Sequence, residues 1–177
     1  MPIFQKGDRS VFFAHIPKTG GSSVERMFKD AGWKTTRLGN PGAHNQHAPA
    51  SLYQQWNDLP EEKFVIIRHL VSRFVSELKY RKRPHTVTET WLNQVKKNPS
   101  MQDNHLRSQV EFLIPGMTLY IFEEGAVDQI AADYDLKPVH INVGTTQVDL
   151  PDSARKQIEE HYKEDMEMYE SYRSSPA

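Results

Sequence analysis

Apolar residues in this chain come in short runs, each followed by an amphipathic segment. Val11 to Ile16 is apolar and is stopped by Pro17, the pattern of a buried strand. Ser22 to Ala31 then carries Val24, Met27 and Phe28 at helical spacing, with Gly32 at its end, which predicts a helix. The pair recurs. "KFVIIR", 63–68, reads as a second strand, and Val71 to Arg81 as a helix with Val71, Phe74, Val75 and Leu78 inward. "MTLYIFE", 117–123, reads as a third strand, followed by a helix from Val127 to Tyr134.

The intervening stretches are less regular. Residues 33–49 hold Gly39, Pro41, Gly42 and Pro49, so irregular backbone is expected there, around one short strand at most. Ala50 to Asn57 is expected as a short helix. "HTVTETWLNQVKK" predicts a helix capped at Thr86 or Thr88, with Trp91, Leu92 and Val95 on its apolar face. Asn104 to Leu113 is a further helix candidate. Leu150 to Tyr172 predicts one long charged helix, with Pro151 and Asp152 suited to its first turn. Strands alternating with helices predict a single α/β domain over residues 1–177, with a mainly parallel central sheet flanked by helices. The end of the chain, 172–177, is expected to be a frayed tail.

Composition narrows the function. Charge is nearly balanced at −1, so no global field points to nucleic acid or to a membrane surface. There is no cysteine, which excludes disulfides and thiolate metal sites. No apolar run approaches the roughly 20 residues that span a bilayer, and "MPIFQKGDRS" has no signal-peptide core. A compact cytoplasmic catalytic domain without a membrane anchor is the expectation.

The first strand–helix junction, "HIPKTGGSS", carries the candidate chemistry. A glycine turn leading into a helix start forms an anion cradle, because the backbone approaches closely and the first helical N–H groups point outward. Lys18 adds a mobile charge, and Thr19, Ser22 and Ser23 add hydroxyls around Gly20 and Gly21. The order is not that of a Walker A loop, where lysine follows the glycines. At the second junction Arg68 ends a strand, and Ser76 lies two turns into the next helix; a guanidinium fork and a hydroxyl suit a second phosphate.

"HIPKTGGSS" followed by "FVIIRHLVSRFVS" resembles the PAPS-dependent sulfotransferases, in their carbohydrate, heparan-sulfate-type branch. "SQVEFL", "LYIFEE" and "HINVGTT" extend the likeness more loosely. The resemblance implies a P-loop-like sulfotransferase fold. It also implies transfer of the sulfuryl group from 3′-phosphoadenosine 5′-phosphosulfate (PAPS) to a hydroxyl, with 3′-phosphoadenosine 5′-phosphate (PAP) as product. Lys18, Thr19, Gly20, Gly21, Ser22 and Ser23 would hold the 5′ end, Lys18 also stabilising the leaving oxygen, and Arg68 and Ser76 would hold the 3′-phosphate. The chain departs from the family pattern in two places: His69 and Leu70 stand where Asp or Asn and then Pro are common, and the "VGTTQV" loop after Asn142 lacks a basic residue.

In-line transfer needs a base opposite Lys18, and histidine suits it. "His47-Ala48-Pro49-Ala50" is similar to a His-x-x-Ala segment of the family that supplies a catalytic histidine, which makes His47 the first candidate and His44 the second. His44 and His47 are also spaced like a zinc pair, but no third ligand stands near them in sequence, so no metal is expected. The basic run Lys79, Arg81, Lys82 and Arg83, with Arg107 and Gln109, is a candidate acceptor surface for a carbohydrate. Two other readings fit the anion cradle: a P-loop-like small-molecule kinase, and a non-catalytic nucleotide-binding module. The pattern specifies no oligomeric state.

Overall fold

The computed structural model of the protein describes residues 1–38, 46–55, 59–141 and 149–174. Five strands form one sheet: β1 (Pro2–Lys6), β2 (Arg9–Ala14), β3 (Lys34–Arg37), β4 (Glu62–Ile67) and β5 (Thr118–Ile121), in the order β3-β1-β2-β4-β5. β2 pairs with β4, and β4 with β5, in parallel, so the three strands expected from the apolar runs form a parallel unit. β1 pairs antiparallel with both β2 and β3. The sheet is therefore mixed, and the expectation of a mainly parallel sheet is corrected. The reason is a tight hairpin. Lys6 pairs with Arg9 across Gly7 and Asp8, and Gly7 takes a φ of 58°, which the first central position of such a turn requires. β3 is exposed along its length and closes that edge.

Period-2 alternation divides the strands between two cores. Phe4, Val11, Phe13, Phe64 and Ile66 face α1 (Gly21–Asp30) and α6 (Ala126–Asp133). The aromatic rings stack there, with Phe4 and Phe28 centroids 4.0 Å apart and Phe13 and Phe64 4.8 Å apart. On the opposite face Ile3, Phe12, Ala14, Val65 and Ile67 meet Tyr53 of α2 (Ala50–Tyr53), Phe112 and Tyr169. A third cluster joins α3 (Leu70–Tyr80), α4 (Thr88–Lys97) and α7 (Asp152–His161) through Phe74, Leu78, Trp91, Leu92 and Ile158. Trp33 and Trp91 are core residues, and Trp56 lies outside the described residues. No helix among the described residues is long and apolar enough to cross a membrane.

Two helix expectations are corrected. Leu150 to Tyr172 is not one helix: it breaks at Tyr162 (φ −109°, ψ 39°) into α7 and α8 (Lys163–Arg173). The break lets Ile158 and Tyr162 enter the α3–α4 cluster while Tyr169 enters the sheet core. Asn104 to Leu113 is not a helix either. The short turn α5 (Met101–Asn104) contains left-handed Gln102 and Asp103, and only Val110–Phe112 forms a 3₁₀ turn.

The backbone groups of this segment go to side chains instead of to an i→i−4 ladder. Fully buried Asp165 accepts from the Gln109 amide at 2.7 Å, the Val110 amide at 3.1 Å and the Ser108 hydroxyl. Buried Arg73 donates to the carbonyls of His105 and Arg107, each at 2.9 Å. Removing the carboxylate would strand one buried and one half-buried amide. Asp165→Ala is expected to cost about 3 kcal/mol and to lower the melting temperature by about 6–12 °C, read by calorimetry.

Candidate active site

The C-terminal ends of β2 and β4 open side by side, because the two strands are parallel neighbours. From β2 the chain runs through His15, Ile16 and Pro17 to Lys18, whose φ of 69° is left-handed, and then through Gly20, with φ 94°, into α1. Lysine in this region is strained by the order of 1 kcal/mol, a cost that surrounding contacts must offset. Thr19 does so from inside: it is fully buried, and its hydroxyl donates to the Ile16 carbonyl at 2.9 Å. The Thr19 proton is thus used within the turn. Ser23 is buried and its Oγ accepts from the Ile141 amide at 3.0 Å, so its own hydrogen stays available to a ligand. Ser22 is exposed. No side chain caps α1, which leaves its first amides to an anion.

The two glycines are required by close approach. A Cβ at Gly20 would sit 3.2 Å from the Phe122 ring, and one at Gly21 would sit 1.9 Å from His15 Nε2. Lys18 Nζ lies 4.1 Å from the ring centroid of Tyr80, at the exposed end of α3. Burial lowers the pKa of this lysine, with Glu77 opposing and Arg68 and Arg81 adding to the effect.

Arg68 leaves the end of β4 and turns toward the same loop. Its Nη1 donates to the Lys18 carbonyl at 3.0 Å and its Nε to Ser72 Oγ at 2.8 Å. The guanidinium stacks 4.1 Å from the Phe122 ring centroid, with Glu123 3.8 Å away. Gln109 fixes the arginine's backbone from both sides, accepting from its amide at 3.0 Å and donating to its carbonyl at 2.8 Å. Ser76 is half-buried on α3, and its hydroxyl makes no hydrogen bond to the described residues. The junctions that hold Lys18 and Arg68 are therefore one continuous surface.

Histidines form the other wall. His47 is buried; its Nδ1 donates to the His15 carbonyl at 2.9 Å, and its ring stands edge-on to His15 and His105, with centroids 4.6 and 5.1 Å away. Burial, then the neighbouring His15 charge, pushes its pKa down to about 2, so it is neutral. His105 Nδ1 donates to Glu77 at 2.8 Å, and the same carboxylate accepts from Arg81 at 2.8 Å. Burial pushes the Glu77 carboxyl up, but His105 and Arg81 outweigh it and hold it below its ordinary value. Asp103 joins His47 and His105: one ligand atom of each lies within 4.8 Å of the others. His44 and the loop after Asn142 lie outside the described residues.

Sequence reasoning missed two residues that build this site, Arg73 and Glu77, and gave a third, Gln109, another role. Arg73 is buried and donates to Pro17 O at 3.1 Å, tying the lysine turn to α3. Glu77 orients His105, and Gln109 clamps Arg68 rather than lining an acceptor cleft. One signal was legible: Arg73 and Glu77 are charged residues among the inward positions Val71, Phe74 and Leu78 of a helix, and charges there need partners. Gly21→Ala is expected to cost about 1–3 kcal/mol by overpacking against the His15 ring, measured by chemical denaturation.

No curated protein and no solved structure matches the chain. A family model described as the sulfotransferase family matches residues 1–114, more than half of the 177. That span contains the Lys18 turn, Arg68 with its helix, and the His47, Asp103 and His105 cluster, and the chain belongs to the sulfotransferase family.

Proposed function

We propose that the protein moves the sulfuryl group of PAPS to a hydroxyl of a carbohydrate acceptor, in a P-loop-like arrangement of the sheet and its first helix. One observation carries this reading: the Arg68 guanidinium hydrogen-bonds the Lys18 carbonyl at 3.0 Å. A cation for a 3′-phosphate and a cradle for a 5′-phosphosulfate are then neighbours, as one adenosine with a phosphate at each end demands. Their place, outside the carboxyl ends of adjacent parallel strands, is where open α/β sheets bind ligands.

Each residue has a role in that reading. The backbone of Thr19, Gly20 and Gly21 and the hydroxyls of Ser22 and Ser23 hold the 5′ end at the start of α1. Arg68 and Ser76 hold the 3′-phosphate. Lys18, swinging from Tyr80, neutralises charge on the oxygen that sulfur leaves. The acceptor oxygen forms its bond to sulfur as the bond to the 5′-phosphate oxygen breaks, and the hydroxyl proton passes to His47. Burial keeps His47 in the neutral form that can take a proton, and its Nδ1–H bond to the His15 carbonyl leaves the lone pair on Nε2. The negative charge of bound donor and acceptor favours the protonated ring that results. His44, two positions before the described segment, is the second candidate for this role. Half-buried Lys79 at the end of α3 and the exposed cations Lys82 and Arg83 just after it suit an anionic glycan.

Two measurements test the reading. Arg68→Ala is expected to weaken PAP binding about 100-fold, roughly 2.7 kcal/mol, and to leave adenosine 5′-phosphate binding within about twofold; equal losses by calorimetry would remove Arg68 from the 3′ site. Lys18→Ala is expected to lower transfer of labelled sulfate from PAPS by about 10³-fold with the circular dichroism spectrum unchanged. Full activity in that variant would contradict the assignment.

A further inference from the structure

His47, Asp103 and His105 bring two imidazoles and one carboxylate together, with one ligand atom of each within 4.8 Å of the others. They come from two segments 56 residues apart in sequence, His47 preceding α2 and Asp103 and His105 lying in and after α5. Each imidazole is already set for coordination. His47 Nδ1 donates to the His15 carbonyl at 2.9 Å and His105 Nδ1 to the Glu77 carboxylate at 2.8 Å, so in each ring Nε2 is the nitrogen left for a metal. A carbonyl or carboxylate behind the non-ligating nitrogen is what metal-binding histidines use to fix tautomer and orientation.

The backbone around them is tied as well. Asn104 Nδ2 donates to the His47 carbonyl at 2.8 Å, and Arg73 holds the His105 carbonyl at 2.9 Å. Beside Asp103, Gln102 Oε1 is the one buried side-chain polar atom among the described residues without a hydrogen-bond partner, an acceptor of the kind a metal-bound water satisfies.

We propose that His47, Asp103 and His105 form a binding site for a single zinc ion. Two imidazoles and a carboxylate with an open fourth position are a zinc donor set, whereas magnesium and calcium prefer all-oxygen shells. Zinc–ligand bonds of about 2.0–2.2 Å place tetrahedral ligands roughly 3.3 Å apart. From within 4.8 Å of one another, the three atoms close on the ion through a shift of about 1 Å each. The site has a consequence that rests on the sulfotransferase reading: zinc and the acceptor proton compete for the same Nε2 lone pair of His47. Zinc therefore inhibits sulfuryl transfer reversibly.

The test begins without any activity. Chelator-treated full-length protein, titrated with zinc chloride in a calorimeter, is expected to bind one ion per chain with micromolar affinity or better. Asp103→Asn and His105→Ala, each checked by circular dichroism, are expected to weaken binding at least tenfold. Cobalt substitution is expected to give the visible absorption of a four-coordinate ion, lost in Asp103→Asn. Absence of saturable zinc binding, or equal affinity in wild type and Asp103→Asn, overturns the site. The second arm measures transfer from PAPS: zinc is expected to inhibit the wild type, and Asp103→Asn is expected to need at least tenfold more zinc for half inhibition, each protein being scaled to its own zinc-free rate. Zinc binding that leaves wild-type transfer intact overturns the competition. A protein that binds zinc but transfers no sulfate keeps the site and overturns only the proposed activity.

Discussion

The guanidinium of Arg73 is the constraint on which the site depends. It is buried, and burial lowers its pKa, yet an arginine stays charged and must find acceptors for its donors. It finds three main-chain carbonyls: Pro17 at 3.1 Å, and His105 and Arg107 at 2.9 Å each. Pro17 precedes the lysine turn, and His105 belongs to the histidine wall. One cation on α3 therefore sets the separation of the two walls. Removing it would leave three carbonyls, one of them in a buried bond, without their donor, which is costlier than losing one hydrogen bond.

What was legible in the sequence follows the range of the interactions. β2, β4 and β5, with α1, α3 and α6, were readable because each is a local apolar pattern ended by a local breaker. Lys18, Gly20, Gly21 and Arg68 were readable because a strand–turn–helix junction is also local. The hairpin at Gly7-Asp8 had a local signal, but β1 is short and its outer neighbour β3, Lys34–Arg37, is wholly polar and exposed, so neither resembles a buried strand. The segment 102–113 could not be read as irregular. Its amides and carbonyls are taken by Asp165 and Arg73, 55–57 and 32–34 residues away, and nothing local announces that. The third member of the histidine cluster was hidden for the same reason: Asp103 is far from His47 in sequence and beside it in the fold.

Charge is arranged so that the cations of the site are held but not neutralised. Lys18 and Arg68 are both lowered in pKa, burial first, which marks them as positive charges short of full compensation. Arg68 touches a carbonyl and a hydroxyl, and its nearest carboxylate, Glu123, stands at 3.8 Å while also accepting the His69 amide at 3.2 Å. Lys18 rests on an aromatic face instead of an acid. In the proposed function an incoming dianion meets at Arg68 only this long ion pair to Glu123 and at Lys18 an aromatic face, so little of the interaction is spent on displacing an acid.

His15 links the lysine turn to the histidine wall. Arg37 donates to Glu25 at 2.6 Å, and Glu25 accepts from His15 Nδ1 at 2.9 Å. Burial pushes the Glu25 carboxyl up, but His15 and Arg37 outweigh it and keep it ionised. The ring so held packs its Nε2 against Gly21, leaving no room for a Cβ, while the His15 carbonyl fixes the tautomer of His47. A displacement of the first helical residue by an ångström would therefore move the carbonyl that aims His47. In the proposed mechanism the spacing between the bond that breaks and the proton that leaves is then set by one imidazole that takes part in neither, so Gly21, which makes room for that ring, matters to it alongside Lys18.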